Sequence, residues 1–355
     1  MSWFHVIQKN CTFATYFSNM DFKHKRNLTI AGCLAAAIIA AFLIAAYCIF
    51  GRPINPNAET SIRIYITENT TQSHVVEMLS AKDCFTQGFK CMMHMYKASD
   101  LKFPVGSYSI TNQNARDTYN MFAGGTQTPV ELTVKSCRTI GQMSNMIARQ
   151  LYIDSATVDS SLRSKGPEVF ATILPNTYQV YWNISIDNLY KRFVNESKYF
   201  WNQERTDKAT AMKLTPVQVV TLASIVQEES SNKNEWPVIA GLYINRLKKG
   251  IRLQADPTVL FAVPGPRPKR VLKQHLQIDS PYNTYKYRGL PPGPIRFVNL
   301  DVIDAVLDYT HHDYIYMCAS SKFDGTHVFT SSLEQHNLNA KNYQRAYRKR
   351  FSTQK

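Results

Sequence analysis

Residues Thr215–Ser231 read TPVQVVTLASIVQEESS: a helix start, an apolar run and two adjoining glutamates. Thr215 can serve as N-cap, Pro216 suits the first helical position, and Gln218 can reach back to close a capping box, so a helix begins at Pro216. From there Val219, Leu222, Val226 and Glu229 follow at steps of 3, 4 and 3, which stacks them in one column on a core-facing side. Glu228 falls below Thr221 and Ser224 and reads as surface, and Gln227 is also off the stripe. A carboxyl group on an apolar helix face loses hydration; its pKa rises and it can hold a proton to donate. Glu229 thus fits a general acid. It also fits a structural carboxylate that caps a neighbouring helix or pairs with Arg246, and the pattern alone does not choose.

Working outward, the chain alternates between strand and helix signals. TPVELTV is a strand leading into the helix TIGQMSNMIARQL, and ATVDSSLRSK and NLYKRFVNESKYFWNQ are further helices separated by a loop, ILPNTYQVYW. Downstream, Asp256-Pro257 and Asn283-Thr284 are turn formers, and GLPPGP at Gly289–Pro294 makes a rigid, extended wall. KNYQRAYRKRFSTQK reads as a basic, solvated terminal helix, and the adjacent His311 and His312 as a surface turn. Nearer the N-terminus, SIRIYI and VGSYSI are strands, SHVVEMLSA and FKCMMHMYKA are helices, and ARDTYNMFAGG is a helix stopped by Gly124 and Gly125. The fold class is α+β: a small module over residues 61–127, then a larger mixed domain over residues 128–355.

Leu28–Gly51 carries no charge over 24 residues, and at about 1.5 Å per residue it can cross a hydrocarbon core of about 30 Å. Lys23, Lys25 and Arg26 precede it, so the positive-inside bias puts residues 1–27 in the cytoplasm, the span at 28–51, a Pro/Asn-rich linker at 52–60 and the rest outside. The run exceeds a signal-peptide core, and no clear cleavage site follows it. The first 27 residues carry +3 of the net +15, leaving +12 beyond the span. That balance suits a polyanionic partner or an anionic membrane surface as well as a merely soluble basic one. Nucleic acid is disfavoured, since the basic mass lies beyond the membrane. Cys11 falls in the tail and Cys33 and Cys48 in the span; Cys84 and Cys91 are close enough in sequence for a loop disulfide, while Cys137 and Cys318 could pair only if the fold joins them. There is no C-x-x-C pair, and neither metal nor cofactor is expected.

Four blocks then carry a resemblance: LASIVQEES, AGLYINRLKKGIRLQADPTVLFA, SPYNTYKYRGLPPGPI and HVFTSSLEQHN. In order and interval they resemble the YceG-like family of endolytic murein transglycosylases, and LPNTYQVYW, the anchor and a module resembling LysM extend the likeness over nearly all of the exported chain. The resemblance implies that Glu229 is the catalytic acid, and that the polar members of the blocks are candidates to bind sugar: Asn245, Gln254, Asp256, Thr258, Asn283, Thr284, His327 and Asn337, with Tyr282 and Tyr285 able to stack on pyranose rings or to sit in the core. Gln227 stands where many members carry a glutamate, and Asn176 replaces a frequently acidic residue, so neither is given a proton-transfer role. The implied partners are peptidoglycan glycan strands and the inner membrane, with peptidoglycan synthases as further candidates. The implied reaction cuts MurNAc–GlcNAc bonds in nascent strands and leaves a 1,6-anhydro end. A muramidase that uses water and a non-catalytic glycan-binding scaffold are the rival expectations.

Overall fold

A computed structural model describes residues 21–57, 59–96 and 102–351; most of the expected cytoplasmic tail, Cys11 included, lies outside them. The chain divides into two compact units, residues 1–128 and 129–355.

In the first unit, Asp21 caps helix α1 (Phe22–Ala46), its Oδ1 accepting from the Phe22 N–H at 2.8 Å. A π-helical turn, Tyr47–Gly51, extends α1 to a continuous apolar helix of 30 residues with no buried residue. The helix therefore starts ahead of the uncharged run and includes Lys23, Lys25 and Arg26. Beyond it, β1 (Ile62–Ile66), α2 (Gln72–Ser80), α3 (Gln87–Met95), β2 (Gly106–Ile110) and α4 (Ala115–Ala123) follow. β1 and β2 pair antiparallel, Ile62 opposite Ile110 and Ile66 opposite Gly106. Alternation puts Ile64 and Ile66 on the inner face, against Phe89, Tyr108 and Phe122. The Pro/Asn-rich stretch before β1 takes part in this core: Ile54 and Asn55 are buried, and Asn55 Nδ2 donates to the carbonyls of Thr60 and Ile110. Cys84 and Cys91 are free thiols.

In the second unit the order is β3 (Val130–Val134), α5 (Ile140–Ala148), α6 (Ser155–Ser164), α7 (Val169–Thr172), β4 (Asn176–Val180), α8 (Ile186–Phe200), α9 (Gln203–Ala211), α10 (Pro216–Glu229), α11 (Trp236–Lys248), α12 (Asp256–Ala262), α13 (Leu300–Leu307), β5 (Tyr316–Ala319), β6 (His327–Thr330) and α14 (Leu333–Phe351). The stretch expected as a loop, ILPNTYQVYW, contains β4, which pairs antiparallel with β3, Val130 opposite Val180. Tyr178 and Val180 point into a core shared with α5, α6 and α8. Pro175 precedes the strand and Asn176 and Thr177 are exposed, so the buried alternation shows only from Tyr178.

α10 has the capping box foreseen from Thr215 and Gln218. Its surroundings differ from the amphipathic reading, because every residue from Val219 to Val226 is buried, Thr221 and Ser224 included. α11, α12 and α13 pack around it, and the two polar residues turn back on the backbone, Thr221 Oγ1 donating to the Val217 carbonyl and Ser224 Oγ to that of Thr221. Removing a buried side chain here, Leu222→Ala for instance, costs about 2–5 kcal/mol. At Gly241 in α11 an added Cβ would lie 2.3 Å from the Thr310 carbonyl, so glycine sets how closely the segment before β5 approaches. His312 belongs to that segment and not to a surface turn: it is half-buried, with Nε2 2.9 Å from the Val238 carbonyl. α14 buries none of its residues, as expected of a solvated terminal helix.

Candidate active site

A cleft of about 440 Å³ opens where α10 ends. Its chemical centre is Glu229, whose Oε1 accepts a 2.7 Å hydrogen bond from the Tyr243 hydroxyl of α11. Burial pushes the Glu229 carboxyl up to about 7 against that hydrogen bond, which favours the ionised form, and the charges of Asp256 and Glu228 push in the same direction as burial. Tyr243 is itself raised well above its ordinary value by burial, then by Glu229, so it stays a neutral donor. The chain leaving α10 is fixed by Trp236, whose indole Nε1 donates to the Ser230 carbonyl at 2.8 Å.

The rest of the wall comes from α12, the Tyr285 loop, β5 and α14. Asp256 opens α12 and accepts from the Tyr285 hydroxyl at 2.6 Å. Gln254 is an exposed cleft residue in left-handed backbone, φ +53°, a conformation a side-chain-bearing residue pays for. Its side-chain Oε1 accepts from Arg246 Nη1 at 3.2 Å. Arg246 is 7 % exposed and donates to the carbonyls of Ile315, Arg252 and Leu253. It makes no ion pair with Glu229; the pairing that would have made Glu229 structural is absent among the described residues. Asn337 lines the cleft from α14, beside His336, whose ring stacks on Tyr316 at 5.2 Å.

Of the residues singled out from the sequence, Glu229, Gln254, Asp256, Tyr285 and Asn337 come together here. The others support the walls. Thr258 and Thr284 are fully buried and share a 2.8 Å hydrogen bond, Thr284 Oγ1 also accepting from the Ala255 N–H. Asn283 donates to the carbonyls of Leu276 and Ile278. Asn245 donates to those of His312 and Tyr314. Tyr282 packs on Phe261, ring centroids 4.8 Å apart. His327 holds Glu235, its backbone N–H and ring Nδ1 at 2.7 and 3.0 Å from the two carboxylate oxygens. Burial works against ionisation of Glu235, but His327 and the Ser230 hydroxyl outweigh it and hold the carboxyl below its usual range. Tyr243, Tyr316 and His336 are cleft residues the sequence did not single out. For Tyr243 and Arg246 the available signal was their i, i+3 spacing, which gives them one face of α11.

Glu228 is not a surface residue. Its side chain is 2 % exposed and is held by Arg138 Nε at 2.8 Å, Arg296 Nη1 at 2.6 Å and Arg267 Nη2 at 2.7 Å. Burial alone would raise this carboxyl, yet the three guanidiniums bring it below its ordinary value. Gln227 is likewise committed, accepting from the Asn299 N–H at 2.9 Å and donating to Ser136 Oγ at 3.3 Å.

A carboxyl that titrates near neutrality, beside a donor that never ionises, can both give and retake a proton in one catalytic cycle. Known proteins resemble the chain over most of its length. The chain is 26% identical over 317 residues to an endolytic murein transglycosylase of Bacillus subtilis, covering 82% of this chain and 87% of that one. It is 24% identical over 336 residues to an endolytic murein transglycosylase of Streptococcus pneumoniae, and spans 59% of that longer protein. The fold is similar to the crystal structure of a YceG-like protein from Listeria monocytogenes, with a TM-score of 0.50 and 24% identity over 79% of this chain and 99% of that one. The YceG-like family pattern matches residues 64–342, and the chain belongs to that family.

Proposed function

We propose that this chain is a membrane-anchored lytic transglycosylase that cuts MurNAc–GlcNAc bonds inside peptidoglycan strands. The observation that carries the reading is the Glu229 carboxyl, raised to about 7 by burial in an open cleft. The relatives named endolytic murein transglycosylase support it.

Protonation of the leaving oxygen is the first requirement of glycosidic cleavage. Glu229 is the acid for that step. The C6 hydroxyl of the same muramic acid then attacks its own anomeric carbon, an intramolecular step with high effective molarity, and Glu229, now ionised and held by Tyr243, takes the hydroxyl proton. One carboxyl thereby serves as acid and as base, and the product carries a 1,6-anhydro ring. Asp256 keeps the Glu229 proton in place by its negative charge, and the amide of Gln254 and that of Asn337 are the candidate donors to sugar acetamido groups. The α1 helix is the anchor, with residues 1–27 cytoplasmic and the cleft on the outer side of the inner membrane, where nascent strands and their synthases are. The module at residues 61–127 is read as LysM-like.

Mass spectrometry of murein digested by the full chain tests the reading. Anhydromuramoyl ends from the wild type and none from Glu229→Gln are expected; reducing-end muramic acid without the anhydro product would replace the transglycosylase by a muramidase, and a wild type without any product would favour a scaffold.

A further inference from the structure

The Glu228 cluster carries more positive charge than its carboxylate can neutralise. Three guanidiniums meet one carboxylate, so the surplus is two charges. Arg138 and Arg267 each spend a single N–H group on Glu228 and are 55% and 34% exposed, whereas Arg296 is 12% exposed and also donates to Ser136 Oγ. Among the described residues no second carboxylate reaches any of the three. Burial of Arg296, helped by the charge of Arg138, works against its own protonation and is only partly offset by Glu228. Glu228 and Arg296 thus form a rigid base that holds two half-open guanidinium forks in place, each with donors to spare for a planar anion.

Beside this cluster runs an open groove of about 580 Å³, lined by Lys135 and Ser136, which follow β3, by Asn176 of β4, and by Gln227, Arg296 and Asn299. Gln227 lines the groove and Glu229 the cleft. At about 100° per residue they lie roughly 200° apart around the last turn of α10, so the two concavities flank one helix end. A murein strand in the cleft carries a peptide stem on each muramic acid, and each stem has free carboxylates.

Given the proposed function, on which this rests, we propose that Arg138 and Arg267, preorganised by Glu228 and Arg296, form a carboxylate-binding subsite for the peptide stem of the strand being cut. The enzyme then favours stem-bearing glycan over bare glycan, and stem removal by an amidase weakens its hold on the strand.

The double variant Arg138→Gln/Arg267→Gln tests this, because it leaves Arg296 on Glu228; a wild-type circular-dichroism spectrum and a cooperative melt, at a lower temperature because Glu228 loses two partners, report that the fold is kept. With stem-bearing murein as substrate, KM should rise about 10–100-fold with kcat retained, the size expected for losing two charge-assisted contacts. On the same glycan stripped of stems by an amidase, the variant and the wild type should have equal kinetics. Equal loss on both substrates would make the arginines structural, and no loss on either would remove the subsite. Binding of a soluble muramyl peptide, measured by calorimetry, separates this inference from the catalytic one: it should persist in Glu229→Gln and vanish in the double variant. Its absence from the wild type, or competition by chloride as strong as that by acetate at equal ionic strength, would overturn the carboxylate assignment.

Discussion

Glu228 and Glu229 are neighbours on the last turn of α10, and they live in opposite electrostatic worlds. Burial pushes both carboxyls up. Around Glu228 three guanidiniums reverse that push; around Glu229 a single neutral hydroxyl opposes it, and nearby carboxylates reinforce it. The result is a permanent anion beside a group that titrates near neutrality. Burial alone does not make an acid catalyst; burial without a cation does.

The sharpest break in this comparison is to remove each carboxylate in turn. Glu229→Gln should lower kcat on murein by about 10³-fold or more, within the range for loss of a general acid, as read from release of anhydromuramoyl ends. It should also stabilise the protein above neutrality. Because the folded-state pKa of Glu229 is raised to about 7 from 4.5, its contribution to stability is fully present below the unfolded value and is lost as pH rises through the folded one. The melting temperatures of Glu229→Gln and wild type should therefore agree near pH 4 and separate by pH 8, where roughly 3 kcal/mol is at stake. Glu228→Gln should do the reverse. Three arginines left without their carboxylate should cost about 2–4 kcal/mol of stability, measured by denaturant unfolding, while kcat of the folded fraction changes by less than about threefold. A Glu228→Gln enzyme as stable as wild type would refute the view that the cluster needs its anion.

How much of this the sequence could reveal depends on the range of each interaction. The start of α10 was legible because Thr215, Pro216 and Gln218 interact within four residues. Phase and resemblance both single out Glu229, but phase does so for an incomplete reason: α10 is buried on all sides, so the column containing Glu229 is no more interior than the one containing Glu228. What separates the two is the arrival of Arg138, Arg267 and Arg296 from three distant segments, and no local pattern records that. β4 escapes a local reading for the same reason, since its partner β3 lies beyond three intervening helices. Resemblance does not separate lining from scaffold: Asp256 and Tyr285 reach the cleft, whereas Thr258, Asn283 and Thr284, from the same blocks, are buried in its wall.

The smaller effects sharpen the account of how Glu229 is tuned. Asp256→Asn removes a negative charge that raises the Glu229 pKa, so the alkaline limb of kcat/KM, where the acid loses its proton, should move to lower pH by a fraction of a unit. Tyr243→Phe removes the hydrogen bond that lowers it, so the same limb should move to higher pH. Shifts of one sign in both variants would mean that the limb reports some other group.

Gln254 supplies the smallest and most discriminating case, because stability and activity should part company there. Its left-handed backbone, φ +53°, costs about 1 kcal/mol for a residue with a side chain and little for glycine, although glycine gives part of that back as unfolded-chain entropy. Gln254→Gly should therefore keep or slightly raise the melting temperature, by about 1–3 °C, and yet raise KM, since it removes a cleft-lining amide held by Arg246. A residue retained for packing would lose stability on that change. One held in a strained conformation for its amide loses function while the fold relaxes, and calorimetry and murein kinetics on one variant distinguish the two.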